Sequence, residues 1–246
     1  MTMPICLWSG PRNVSTALMY SFAQRDDIRV IDEPLYGHYL RVSGADHPGR
    51  DDIIGAMNCD GAAVMRELLA TQRRDSSVRL FLKHMAHHLV DLDPGFLRET
   101  SNVFLIRNPR EMLPSLTIQL PHAGLSDTGL KRQWELYVDL RAAGRKAVIL
   151  DSRQLLLDPA GILEQLCEHL GLDFDPCMLR WEAGPLAEDG IWAPYWYHAV
   201  HQSTGFAPYR SKGTFPDELL GLLADCTPWY DRLFEHALTG SAQGET

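Results

Sequence analysis

The chain has 246 residues, 45% hydrophobic and 22% charged, with a formal net charge of −9. That composition suits a globular protein able to bury a full core, and the acidic balance disfavours nucleic acid as a partner, because such partners demand a basic face. No apolar run approaches the roughly 20 residues needed to span a bilayer, so no membrane association is expected.

In chain order, short apolar runs at 4–8, 28–32, 78–83, 102–107 and 146–150 read as strands. Helical spacing fills the intervals at 15–24, 52–72, 110–119, 129–143 and 160–170; Leu163, Leu166, Cys167 and Leu170 form the apolar stripe of the last. Strand–helix alternation predicts an α/β fold with a mainly parallel central sheet covered on both faces, and C-terminal helices at 216–224 and 228–238 broken at Pro228. A single domain over 1–246 is expected. Its stretch at 184–213, rich in Pro, Gly and aromatics, reads as an irregular lid or binding loop, or as a segment tucked onto the core. The C-terminal helices offer a face for a homodimer.

The five cysteines (Cys6, Cys59, Cys167, Cys177, Cys226) are scattered and never form a C-x-x-C pair. They fit free thiols in a reducing cytoplasm better than a disulfide frame or a zinc site. The N-terminus lacks a basic segment followed by a long apolar stretch, so no secretory signal is expected and the localisation is read as cytoplasmic.

In a parallel sheet the ligand lies beyond the C-terminal strand ends, where Trp8, Asp32, Lys83 and Arg107 all fall. The first strand runs into Gly10-Pro11-Arg12-Asn13-Val14-Ser15-Thr16 and a helix. Backbone N–H groups, a guanidinium and two hydroxyls thereby gather at a helix N-terminus, a place suited to an anion. The alternative is an ordinary turn with Ser15 as helix cap. Walker A spacing is absent, which disfavours nucleotide hydrolysis of that kind. A second strand–turn–helix, Arg107-Asn108-Pro109 onward to Ser115, presents another guanidinium and hydroxyl, either to a second anionic group or as a structural ion pair.

The two segments together resemble the cofactor motifs of sulfotransferases that use 3′-phosphoadenosine 5′-phosphosulfate (PAPS). Pro11, Arg12, Asn13, Val14, Ser15 and Thr16 match the family's Pro-(Lys/Arg)-Ser-Gly-Thr-Thr loop for the 5′-phosphosulfate. Arg107, Pro109 and Ser115 match the 3′-phosphate motif, and Tyr209-Arg210-Ser211-Lys212-Gly213 is similar to the late Arg-Lys-Gly motif with one residue inserted. Residues 7–25 and 31–40 look closest to a bacterial and plant branch of small sulfotransferase-like proteins.

The resemblance implies a P-loop-type three-layer α/β/α fold and PAPS as cosubstrate, with Arg210, Lys212 and Gly213 joining the two motifs in binding it. It implies sulfuryl transfer to a small alcohol or phenol. Arg12 and Lys83 are the expected cations facing the bridging oxygen. The family places the base at a Glu after the second strand or at a His after a later one, and this chain offers Glu33 and His84; Glu33 is favoured. Strand alternation implies that Asp32 and Glu33 cannot both face the site if the strand continues that far. Two departures stand out: Val14 replaces a loop glycine, and Pro114 precedes Ser115 inside a helix.

Among His84, His87 and His88, the i and i+4 pair could share a helix face, but no third ligand is evident and no Glu stands where a zinc protease needs one, so no metal is expected. A kinase-like phosphotransferase and a non-catalytic nucleotide-binding protein remain as alternative readings.

Overall fold

A computed structural model describes residues 2–211 and 213–240. In chain order the elements are β1 (Ile5–Ser9), α1 (Ser15–Phe22), β2 (Ile28–Asp32), α2 (Tyr36–Ser43), α3 (Arg50–Ala56), α4 (Gly61–Arg74) and β3 (Arg79–Met85). Then come β4 (Ser101–Ile106), α5 (Pro109–Gln119), α6 (Leu125–Thr128), α7 (Leu130–Ala142), β5 (Ala147–Asp151), α8 (Ser152–Leu157) and α9 (Pro159–Leu170). The chain ends through α10 (Ala193–Trp196), α11 (His198–His201), α12 (Leu220–Phe234) and β6 (Ala237–Leu238).

The six strands form one sheet in the order β2-β3-β1-β4-β5-β6, and every neighbouring pair is parallel. All five residues of β1, Ile5-Cys-Leu-Trp-Ser9, are buried, as a central parallel strand covered on both faces requires. Side chains alternate along a strand. Ile5 and Leu7 therefore join Val30, Phe81 and the apolar stripes of α1, α2 and α9. Cys6 and Trp8 join Leu82, Phe104 and the stripes of α5, α7 and α12 on the other face.

Three expectations change. The helix expected over 52–72 is two, α3 and α4, because Asn58 Oδ1 accepts from the Asp60 amide and Asp60 Oδ1 from the Ala63 amide. Those local bonds outcompete helix propagation and start α4 afresh. At the C-terminus the expected break at Pro228 does not occur. Leu223, Cys226, Tyr230 and Leu233 are buried along one face of a continuous α12, and that burial outweighs the missing amide. Ala237–Leu238 then pairs with β5 as an edge strand. Finally, 184–213 is not structureless. It contains α10 and α11, and its base is closed by the Arg180–Gly205 bridge and a bond from the Gly184 amide to the His201 carbonyl (2.8 Å).

Alternation also separates Lys83 from His84. Lys83 follows Phe81 onto the α1 face, while His84 follows Leu82 onto the other, where its ring stacks on Trp8 at 4.3 Å between centroids. His84 is fully buried and neither ring nitrogen has a hydrogen-bond partner. Burial, with the Lys83 charge adding to it, pushes the His84 imidazole down to about 3.

Two outcomes test this architecture. A Cβ on Gly10 would sit 2.3 Å from the Thr128 carbonyl oxygen, so Gly10→Ala should cost about 1–3 kcal/mol, seen as a lowered Tm. His84 binds its proton only in the unfolded chain between its ordinary pKa and about 3, so stability falls on acidification through that window. The slope is about 1.4 kcal/mol per pH unit. His84→Phe should remove about one proton from the pH dependence of the urea-derived stability below pH ~6.5; an unchanged slope would show that His84 titrates normally.

Candidate active site

Beyond the C-terminal ends of β1, β2, β3 and β4 lies a cleft of about 350 Å³. One side is the turn after β1. Arg12 there takes a left-handed backbone (φ 54), which swings the chain from strand into α1. Asn13 fixes the turn: its Nδ2 donates to the Leu105 carbonyl at the end of β4 (3.0 Å), and its Oδ1 accepts from the Val14 amide (2.9 Å). The first amides of α1 after Val14 have no partner within the helix, and Ser15, Thr16 and Ala17, which carry them, line the cleft. Val14 itself has φ −90, open to any L-residue, so the loop needs no glycine there. The special dihedral falls on Arg12.

Arg12 Nε donates to Ser115 Oγ (2.9 Å), and Arg107 Nη1 donates to the Arg12 carbonyl (2.7 Å). The two motifs, about ninety residues apart in sequence, thus form one wall with two guanidiniums. Ser115 keeps this position although α5 runs through Pro114. Burial, and then the nearby Arg107 charge, lower the Arg12 pKa, the mark of two cations held together without a bridging anion. Arg107 Nε is buried with no hydrogen bond; Glu111 Oε2 lies 3.5 Å away, and Glu111 Oε1 accepts from the Tyr209 hydroxyl (2.6 Å).

Opposite this wall, Lys83 is 1% exposed and its ammonium donates to Asp32 Oδ1 (2.9 Å), Glu33 Oε1 (2.7 Å) and the Tyr197 hydroxyl (2.5 Å). A buried ammonium is tolerated only with such pairing. Burial pulls the Lys83 pKa down, but the two carboxylates outweigh it and leave it above the usual lysine value. Glu33 is pushed up: burial leads, Asp32 adds to it, and Lys83 opposes.

Both carboxylates reach Lys83 because β2 stops at Asp32 and Glu33 adopts φ 35. That left-handed residue cancels the alternation which would have turned them to opposite faces, so both carboxylates hold the lysine, while only Glu33 of the pair lines the cleft. Tyr197, from the loop between Arg180 and Gly205, donates to Asp32 Oδ2 (2.7 Å) and accepts from Trp192 Nε1 (3.1 Å). The Gly190 amide also donates to Asp32 Oδ2 (3.1 Å). The irregular loop is therefore fastened over the cleft through the same aspartate that holds Lys83.

The remaining wall is aromatic. His88 is sandwiched between Tyr36 (4.9 Å) and Tyr39 (4.5 Å), and its Nδ1 lies 3.9 Å from Glu33 Oε2. Tyr36 donates to or accepts from His47 Nδ1 at 2.8 Å, and Trp192 meets Tyr36 edge-on. Burial first, then neighbouring histidines, hold His87 at about 3 and His88 well below the ordinary range, so both rings are neutral at neutral pH.

Of the residues singled out in the sequence, Pro11, Arg12, Asn13, Val14, Ser15, Thr16, Glu33, Lys83, Arg107 and Ser115 line the cleft together. His84 does not: it is packed under Trp8 on the far side of the sheet, and the expectation that it offers a base is corrected. Arg210 and Gly213 are exposed and outside the cleft, although Tyr209 beside them is tied to Glu111. Lys212 lies outside the described residues. The sequence did not single out Tyr197, and it raised His88 only as a metal-ligand candidate. Nothing local marks a tyrosine 114 residues from the lysine it meets; the one available signal was that a lysine after Leu80-Phe-Leu82 needs buried partners. Among the described residues no group of three or more His, Cys, Asp or Glu side chains is placed to hold a metal ion, and no helix is long and apolar enough to cross a membrane.

Residues 3–237 match the family described as "Sulfotransferase domain". Branched-chain-amino-acid aminotransferase-like proteins 2 and 1 of Arabidopsis thaliana are 41% and 39% identical to 93% and 96% of the chain, which spans only 41% and 42% of their length. The sulfotransferase domain of the Synechococcus PCC 7002 olefin synthase shares the fold, with a TM-score of 0.53 at 16% identity over 91% of this chain and 94% of that one. A parallel sheet with a two-arginine wall at its C-terminal edge, and a family match over nearly every residue, lead to one assignment: the chain belongs to the sulfotransferase-domain family.

Proposed function

We propose that this cleft transfers a sulfuryl group from PAPS to the hydroxyl of a small-molecule acceptor. The observation that carries the reading is the facing of two walls: Arg12, Ser115 and Arg107 on one, Glu33 held by Lys83 on the other. The cationic wall fits a bisphosphorylated adenosine. The open amides of α1, Ser15 and Thr16 suit the 5′-phosphosulfate, while Arg107, whose Nε lacks a hydrogen bond, and Ser115 suit the 3′-phosphate.

The cosubstrate supplies the activated sulfuryl group; the chain supplies position and charge. As the acceptor oxygen bonds to sulfur, the sulfur–oxygen bond to the 5′-phosphate breaks and its electron pair leaves on the phosphate, whose growing charge Arg12 faces. The acceptor proton goes to Glu33 Oε2, because Oε1 is occupied by Lys83. Lys83 is saturated by two carboxylates and a hydroxyl, so its part is to position Glu33 rather than to meet the leaving oxygen. The missing Walker lysine weighs against the kinase-like alternative.

Titration calorimetry tests the cosubstrate. 3′-Phosphoadenosine 5′-phosphate should bind more tightly than 5′-AMP, and Arg107→Ala should erase about 1.5–3 kcal/mol of that preference; equal binding of the two nucleotides sinks the assignment. Glu33→Gln should lower the transfer rate by about 10²–10⁴ while leaving nucleotide affinity intact. Glu33 must be ionised to take a proton and its pKa is raised. Wild-type turnover should therefore fall on acidification at a pH above that of an ordinary carboxylate, a limb absent from the variant's residual rate.

A further inference from the structure

The charges along the cleft are sorted by end. Arg12 stands at the turn after β1, and Arg107 reaches it from the end of β4. At the aromatic end the charged lining residues are Glu33, Lys83 and Asp127, and Lys83 is already saturated by Asp32 and Glu33. With Asp32 counted beside Glu33, Lys83 and Asp127, the formal charge at that end stays negative whether Glu33 is ionised or protonated. Among the described residues it has no lining cation left to pair with an anion.

Asp127, half-buried in α6, lines the cleft where α6 packs against residues 86–88, near enough to Tyr39 and His47 for its charge to act on both. His47, His87 and His88 do not compensate, since burial keeps their rings neutral at neutral pH. The residues lining the cleft between Glu33 and Asp127 are aromatic, Tyr36, Tyr39, His87 and His88 among them. A carboxylate or phosphate on the acceptor would meet those rings and Asp127 with no charged donor, and its lost hydration would go uncompensated.

Resting on the sulfuryl-transfer reading, we infer that the acceptor carries a cationic amine on an aromatic or apolar body. Its hydroxyl points to Glu33 and its ammonium to Asp127. The covalent step is the one already given: the hydroxyl oxygen gains sulfur and its proton goes to Glu33, while the ammonium stays a bystander. The inference sets a substrate class that the family does not specify, and it discriminates against acceptors bearing an acid group.

Three phenols of one shape provide the test: tyramine, tyrosol and 4-hydroxyphenylacetate, titrated into the protein with and without saturating 3′-phosphoadenosine 5′-phosphate. Tyramine should bind about tenfold more tightly than tyrosol at low salt, the size of one partly screened charge pair, and 4-hydroxyphenylacetate should bind most weakly. Added salt should narrow the gap. Asp127→Asn should narrow it too, with the turn preserved, because an amide oxygen can still accept from the Gly124 amide that Asp127 Oδ2 holds at 2.8 Å. Tyrosol or the acid binding as tightly as tyramine overturns the inference, and so does failure of all three to bind at millimolar concentration. If the tyramine preference holds while the bisphosphate nucleotide fails to bind, the cosubstrate assignment falls and the acceptor preference stands.

Discussion

Everything at this site hangs on one buried ammonium. Lys83 sits on β3, between the edge strand β2 and β1, at 1% exposure, where an unpaired charge would be untenable. Its three partners come from three places: Asp32 ends β2, Glu33 follows it in a left-handed turn, and Tyr197 arrives from the loop near the C-terminal side. Satisfying the lysine therefore fixes the base candidate, ends a strand and fastens a loop of about twenty residues over the cleft. Removing any partner would leave a buried charge or carboxylate short of a bond, so these parts are coupled rather than additive.

The opposite wall follows a different logic. Two arginines, Arg12 and Arg107, are brought together through a carbonyl and a serine hydroxyl instead of a carboxylate between them. Like charges held in this way keep their donors available for an incoming anion, while Glu111 at 3.5 Å restrains Arg107 without closing a short hydrogen bond to it. The positive φ at Arg12 and the positive φ at Glu33 lie on the two facing walls. Backbone strain at functional positions is common where the surroundings over-determine it, and here Asn13 and Lys83 provide that determination.

How much of this was legible depends on range. Strands β1 to β5 and helices α1, α5, α7 and α9 were, because alternation and the helical stripe are local signals; β1, α5 and α9 appear within a residue or two of their expected bounds, whereas β6 and the short helices α2, α6, α8, α10 and α11 were not foreseen. The errors were local signals overruled. Asx bonding at Asn58 and Asp60 split one helix, and the buried stripe of α12 carried another through Pro228. The motif residues of the cleft were legible from spacing and from resemblance. His84 was misread because the strand was expected to end at residue 83, whereas β3 runs on to Met85 and alternation carries His84 to the face opposite Lys83.

The sequence by itself determined the class of fold, through strand–helix alternation repeated along the chain, and the two strand–turn–helix motifs at 10–16 and 107–115, each encoded within a dozen consecutive residues. Only the tertiary structure decided that Asp32 and Glu33 share one lysine, that Tyr197 completes the cluster, and that His84 lies beneath the sheet. Those facts rest on sheet register, on a single left-handed residue, and on contacts across more than a hundred residues. Such contacts form only when the whole chain has paid the entropy of closing those distances, and no local pattern records them.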